Sequence, residues 1–512
     1  MKLHDLDTKC TYDFFHQLRN NANGEDPFFE SEDCQLSYAE LFRLADGVCA
    51  FLQRQGIRSG DRVVLALESD FHTVVIFVAA MWMGVTITLL DSSAPEQETK
   101  NIVELFDPNH LLLIPNWEVN WRFLTERQYQ HKTILTIAMP LFDKISSEAK
   151  KLKPYAAPSR LWEDPMMVVF TSGTTGKPKG VVLSYRAILK QSFNMGGGIA
   201  FGQKSRILNL FRFYQIGGIV NGILLALLHG GTLYRPYENF SFSMGEALLK
   251  LLIKKPVSHF IFVPNVLSCL FRHRAAFKAA FSIADFKFFI TTAAPIADDL
   301  WMQVEAFTNK VVINTFGSSE INNVTFTATA ASKNRIGTIG QLFDTECKII
   351  DNKGQTVPSG DTGELWMRGE TSMSEYLKSP ELTQQVIQED GWVNTGDLAY
   401  ERDGALVYVG RSVERIISGG HTIFPNEVTN ALLSHPDIAD AYTFGQAHGE
   451  WGELVACCIV AREPDLTTPV VVRFLREKLS PYKIPRKIVF VNSIPVTKRG
   501  KVRIQAVKEL IS

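Results

Sequence analysis

The chain has 512 residues, beyond the size at which a single hydrophobic core keeps growing, so two or more domains are expected. Hydrophobic residues at 46% and charged residues at 21% exclude long disordered or fibrous stretches, and a formal net charge of -1 removes the electrostatic case for nucleic acid or an anionic membrane as main partner. Seven cysteines form no CxxC pair, which gives no disulfide framework and points to a reducing cytoplasm. The opening MKLHDLDTKC carries charges where a signal peptide would carry its apolar segment, an argument against secretion.

From Leu36 to about Leu90, a helical segment (YAELFRLADGVCAFLQRQ) alternates with short apolar strands (RVVLAL, VTITLL), the pattern of a layered α/β domain. The uncharged stretch Thr73 to Leu90 reaches the minimum length of a membrane-spanning helix. Its pattern changes partway: VVIFVAAMWM suits a buried helix, Gly84 breaks it, and VTITLL alternates as a strand, so no integral membrane span is expected. The alternation recurs with apolar segments at IFVPNVL, FKFFITTAAP and VVINTFG. From about Gly337, short strands and turns (CKIIDNKGQTVPSGDTGELWMRG) predict a β-rich subdomain that closes the large unit. After Arg411 the texture changes again. A helix from Pro425 to about Ser434, strands near YTFG and LVACCIV, a helix from Val470 to Leu479 and a strand at RKIVFV predict a compact α+β unit. The fold class is therefore α/β, with a large N-terminal domain over 1–411 and a small α+β C-terminal domain over 412–512.

The strongest local signal is VVFTSGTTGKPKGVVLS, Val168 to Ser184. A strand enters a loop of hydroxyls, three glycines and two lysines, and a second strand leaves. Glycine lets backbone N–H groups approach a polyphosphate closely, and Ser, Thr and Lys supply further donors. This is not a Walker loop, because GxxxxGK[ST] cannot be threaded through Gly173 to Gly180 and Pro178 stands where a helix should begin. A plain surface turn would fit half this length, not the whole.

At this point the sequence resembles the adenylate-forming superfamily, which contains acyl-CoA and aryl-CoA synthetases, peptide-synthetase adenylation domains and beetle luciferases, and it is closest in pattern to the acyl-CoA synthetases. The resemblance runs from about Leu36 to the C-terminus. It implies that Thr171, Ser172, Gly173, Thr174, Thr175 and Lys177 hold the β- and γ-phosphates of ATP.

NTFGSSE, Asn314 to Glu320, matches the family's N-x-Y-G-x-T-E with Phe316 for Tyr and Ser319 for Thr. Glu320 offers a hard oxygen for magnesium, Ser319 a hydroxyl for phosphate and Phe316 an aromatic face for adenine, with Asn314 and Gly317 beside them. TTAAPI, containing Thr292, Ala293 and Ala294, lies where the family has its Gly-Ala-Pro loop against adenine and the acyl group; a strand-to-helix turn explains most of it equally well. In WVNTGDLAY and YVGRSVERIISGG, Asp397 and Arg411 can grip a ribose diol from two sides, although an Asp in such a turn can also simply cap it.

ISGGHTIFPNEV resembles the segment that lines the thiol tunnel, with Gly419 and Gly420 passing close to a pantetheine arm; His421 reads as an ordinary hairpin residue. In PVTKRGKVRIQAV, Lys501 aligns with the family's catalytic lysine, and Lys498, Arg499 and Arg503 fit a solvated basic tail. A cation there stabilises the charge that builds when a carboxylate attacks the α-phosphate.

Two positions depart from the pattern. LFRFYQIGG has Gln215 where many members have a His, and Gln cannot titrate near neutrality. Val413 stands at the hinge where Asp or Lys is usual. The resemblance implies ATP, Mg2+ and coenzyme A, or a carrier-protein phosphopantetheine, as cofactors, and a mobile small domain that serves two half-reactions. Amino-acid-activating members carry an Asp early in the pocket and Phe211 to Asn221 has none, so an amino acid is disfavoured. Phe213, Tyr214, Gln215, Thr292, Ala293 and Ile321 are the acyl-pocket candidates, compatible with an aryl or a short to medium acyl chain and equally readable as core. The rival readings are a ligase that loads an acyl carrier protein, a light-emitting oxidase, and a nucleotide-binding regulator with reduced catalysis; the presence of Glu320 and Lys501 speaks against the last.

Overall fold

The structure is a computed structural model describing residues 11–172, 178–326, 335–412, 414–418, 421–449, 451–496 and 502–511. Local sequence chemistry sets its elements. The helix Tyr38–Arg54 opens on a capping box, in which Ser37 Oγ accepts from the Glu40 N–H and Glu40 Oε2 accepts from the Ser37 N–H at 3.0 Å. The stretch that could have crossed a membrane folds as the buried helix Asp70–Met83, a left-handed stop at Gly84 (φ 74°) and the buried strand Thr86–Leu89. Among the described residues, no helix is long and apolar enough to cross a membrane.

Two elements differ from expectation. IFVPNVL divides into the strand His259–Phe262 and the helix Pro264–Phe271, because proline at the first helical turn fixes a helical φ and needs no donor. The last-domain helix is Thr468–Arg476, shifted towards its N-terminus by a Pro in its first turn.

Among the described residues, strands form sheets of nine, seven, five and four. In the nine-stranded sheet, Arg206–Asn209, His259–Phe262, Phe288–Thr291 and Val311–Ser318 lie side by side and parallel, with Asn209 paired to Ile261, Phe262 to Thr291, and Thr291 to Asn314. The seven-stranded sheet has parallel strands at its centre and at one edge; towards the other it carries the antiparallel hairpin Pro165–Ser172 and Pro178–Ser184, with the short strand Glu375–Tyr376 outermost. One core joins both sheets with the helices Asp70–Met83 and Tyr185–Gly198, through residues such as Val63, Phe77, Ile188, Ile261 and Ile313. The β-rich expectation after Gly337 is met by the four-stranded antiparallel sheet Glu346–Ile350, Gly363–Arg368, Val393–Arg402 and Ala405–Arg411. Beyond Arg411, the strands Ile416–Ser418, His421–Ile423, Ile438–His448, Gly452–Ala461 and Lys487–Phe490 belong to a separate sheet, packed with the helices Pro425–Leu433 and Thr468–Arg476.

Candidate active site

In a parallel sheet, ligands gather at the carboxyl ends of the strands, where loops and backbone donors converge. Three of the four side-by-side strands here end in the segments singled out by sequence, with His259–Phe262 lying between the first and the second: Asn209 leads into LFRFYQIGG, Thr291 into TTAAPI and Val311–Ser318 into NTFGSSE. In the second of these loops, Ala293 holds φ +70°, a left-handed conformation costly for a residue with a Cβ. Ala293 and Ala294 are exposed, and Thr292 is buried beneath them.

Contacts and charge interactions relate the nucleotide candidates. The ring of Phe316 lies 6.0 Å from that of Tyr408. Burial and then the Asp397 charge push the Tyr408 phenol above its usual range, so it stays neutral. Asp397, 2% exposed, pairs through Oδ1 with Arg411 Nε at 2.9 Å, and the two residues face one another across neighbouring strands. Gly396, at φ 70°, and a bulge beside Leu398 and Ala399 turn the chain at this point. Burial works against the Arg411 charge, but Asp397, then Tyr408, Glu320 and Glu414, outweigh it and raise the guanidinium above its ordinary value.

Glu320 Oε1 accepts a hydrogen bond from Tyr376 Oη at 2.9 Å, and the Tyr376 ring carries Lys179 Nζ 5.6 Å from its centroid. Burial first, then the Glu320 charge, push the Tyr376 phenol up, so it remains a donor. Tyr376 escaped the sequence reading. It lies 56 residues from its partner, and no local pattern marks it. Ser319 is half-buried beside Glu320, and Ser318 Oγ accepts from the Glu320 N–H at 3.2 Å. Thr171 is the penultimate residue of the hairpin's incoming strand, opposite Lys179. The Ser172 side chain and Gly173, Thr174, Thr175 and Lys177 lie outside the described residues, as do Val413, Gly419, Gly420 and Lys501. Strands Ile416–Ser418 and His421–Ile423 pair on either side of the two glycines, and His421 stacks on Tyr482 at 4.3 Å, in keeping with a hairpin role.

The loop of acyl-pocket candidates is clamped from below. Arg235, 1% exposed, pairs with Asp70 (Nε to Oδ2, 2.7 Å), donates through Nη1 to the carbonyls of Asn209 (2.9 Å) and Phe211, and lies 4.4 Å over the Phe213 ring. Asn209 Nδ2 donates to Gly217 O and Asn221 O, both at 3.0 Å, at the entry to the π-helical turn Ile219–Leu224. Gly218 is required, since a Cβ would meet Arg212 O at 2.4 Å. Gln215 Oε1 accepts from the Arg212 N–H at 3.1 Å, so its oxygen braces the loop. Tyr214 is half-buried, and Phe213 is buried. Asn314 donates to Thr338 O at 2.9 Å, which ties the strand end to the next turn. Ile321, expected in the acyl pocket, is fully buried with Ile339, Leu365 and Met367, so its side chain serves the β-rich core, where an apolar side chain is best shielded from water.

Among the described residues, no three His, Cys, Asp or Glu groups converge as a metal cage. A single hard carboxylate such as Glu320, joined through Tyr376 to Lys179 of the hairpin, would fit magnesium all the same, because that ion keeps waters and binds through one or two carboxylates plus substrate phosphates.

The AMP-binding enzyme model matches residues 15–377, and the model of the AMP-binding enzyme C-terminal domain matches 427–501. The chain belongs to the AMP-binding enzyme family. It is an AMP-forming acid–thiol ligase of the adenylate-forming superfamily. The chain is 30% identical over 525 residues to the mitochondrial medium-chain acyl-CoA ligase ACSF2 of Danio rerio, covering 94% of this chain and 84% of that one. It is 28% identical over 459 residues to the sulfoacetate–CoA ligase of Cupriavidus necator, covering 88% and 87%. The fold is that of ATP-bound MatB from Rhodopseudomonas palustris, with a TM-score of 0.87 at 22% identity over 97% of this chain and 98% of that one.

Proposed function

We propose that this AMP-binding enzyme joins an aryl or short- to medium-chain carboxylic acid to coenzyme A in two half-reactions. The observation that supports the reading is the set of contacts Phe316–Tyr408, Asp397–Arg411 and Glu320–Tyr376–Lys179, an aromatic face, a carboxylate with a guanidinium, and a carboxylate near a lysine, which are the groups that a nucleotide's base, ribose and phosphates call for. Phe316 meets adenine, Asp397 and Arg411 the ribose, and Thr171, Ser172, Thr174, Thr175 and Lys177 the phosphates. Magnesium held by Glu320 would neutralise phosphate charge. Lys501 enters the site while the carboxylate attacks the α-phosphorus and pyrophosphate leaves. The small domain, 412–512, then turns against 1–411, withdraws Lys501 and presents Gly419 and Gly420 to the thiol. The medium-chain relative and the Phe213–Tyr214 loop support an apolar acid, and the cysteine pattern supports a cytoplasmic setting.

The test is Lys501→Ala. Acid-dependent ATP–pyrophosphate exchange should fall by about 100-fold or more, the usual cost of one preorganised donor. Thioester formation from preformed acyl-adenylate should persist, and equal loss of both would sink the assignment. A hydroxamate screen over carboxylic acids identifies the substrate, and comparison of coenzyme A with a carrier-protein phosphopantetheine identifies the acceptor.

A further inference from the structure

The short segment Thr371–Leu377 runs between two parts of the site that belong to different sheets. On one side it is stitched to the residues around Glu320. The Met373 N–H donates to Glu320 O at 2.7 Å, Thr371 Oγ1 to Ile321 O at 3.1 Å, and Asn322 Nδ2 to Thr371 O at 2.7 Å. On the other side it forms the outer strand of the phosphate hairpin. Tyr376 pairs with Val181, the Ser374 N–H donates to Val182 O at 2.9 Å, and the Leu377 N–H to Gly180 O at 2.7 Å. Gly180 makes this approach possible, since a Cβ there would come within 3.1 Å of Leu377. At the middle of the strap, Tyr376, 4% exposed, gives its hydroxyl to Glu320 Oε1 and its ring face to Lys179.

We infer that Tyr376 is a positioning residue: it fixes the Glu320 carboxylate in register with the phosphate hairpin, so that the second carboxylate oxygen is presented to a cation carried by the nucleotide. The inference rests on the proposed role of Glu320 as the metal ligand. A carboxylate free to rotate would spend binding energy on being ordered, and a buried phenol hydrogen bond removes that freedom before the cation arrives. The backbone stitches alone cannot do this, because they hold Glu320 O and not its side chain.

The experiment uses Tyr376→Phe, which keeps the ring, its packing and its face towards Lys179. Mn2+ is titrated into the full-length enzyme with ATP and no acid, and bound metal is read by electron paramagnetic resonance. The apparent dissociation constant should rise by roughly 10- to 100-fold, the usual effect of losing a partner of a metal ligand. Thioester formation from preformed acyl-adenylate should stay within about twofold of the parent. A purely structural role for the tyrosine would lower both half-reactions together and overturn the inference. Mn2+ affinity unchanged in Tyr376→Phe but lost in Glu320→Gln would also overturn it, while leaving Glu320 as ligand. Unchanged affinity in Glu320→Gln would remove the metal reading of Glu320, and the positioning role with it.

Discussion

Two Arg–Asp pairs stand near this site, and they serve opposite ends. Arg235 and Asp70 are 1% and 10% exposed, and both Nη1 donors of the arginine are taken by Asn209 O and Phe211 O. Arg411 is 42% exposed, and among the described residues its further hydrogen bond beyond Asp397 is to Thr395 O, at 3.4 Å. The same ionic chemistry therefore acts as a structural clamp where it is buried, and leaves a guanidinium open to solvent, as the proposed ribose contact requires, where it is not. What separates them is the solvent left to each pair: a buried charge must be compensated inside the protein, whereas an exposed one can wait for a ligand.

The contrast is open to direct attack, and the largest effect is expected at the clamp. Asp70→Asn should cost about 3 to 5 kcal/mol in urea unfolding by leaving the Arg235 charge buried and uncompensated. The double variant Asp70→Asn/Arg235→Met should recover most of that loss, and a cost below about 1 kcal/mol in the single variant would erase the distinction between the pairs.

Burial should act on a neutral group in the same way. His259 is fully buried, its Nε2 bonded to Ile199 O at 2.9 Å and its Nδ1 to Ser258 Oγ at 2.8 Å, and burial lowers its pKa from 6.5 to about 4. Between those values the unfolded chain binds more protons than the folded one. Stability is thus complete above about pH 6.5, falls with the pH, and has lost about 3 kcal/mol below about pH 4. His259→Gln should flatten that slope in unfolding curves taken across the window.

The second pair, whose aspartate is buried but whose arginine is exposed, should behave differently. Asp397→Asn should lower ATP–pyrophosphate exchange by roughly 10- to 100-fold through loss of charge-assisted bonds, mainly as a higher KM for ATP. Its stability should change by less than about 1 kcal/mol, since Arg411 remains open to water. A large drop in unfolding free energy would move this pair into the structural class.

Much of the site was legible because its motifs are continuous. The hairpin around Val168 to Ser184, the strand end at Asn314 to Glu320, and the Asp397 and Arg411 turns each read as short runs with their own chemistry. Gly84 announced the end of a helix, and that break together with the alternation of VTITLL argued against a membrane span. The acyl-pocket list was less secure. Phe213 and Gln215 do lie on the loop at the strand ends, yet the structure uses both to hold that loop, and Ile321 belongs to another core. A side chain's direction depends on packing, which one-dimensional pattern does not record.

The sequence by itself determined the order of elements, the family and the residue types available for phosphate, ribose and metal, because each follows from local periodicity or from a contiguous motif. Only the tertiary structure decided which groups meet: Arg235 with Asp70 across 165 residues, and Tyr376 with Glu320 across 56. Those partners lie on different strands or helices, and their pairing was fixed by sheet order and register, where burial makes an unpaired charge or donor too costly to leave alone.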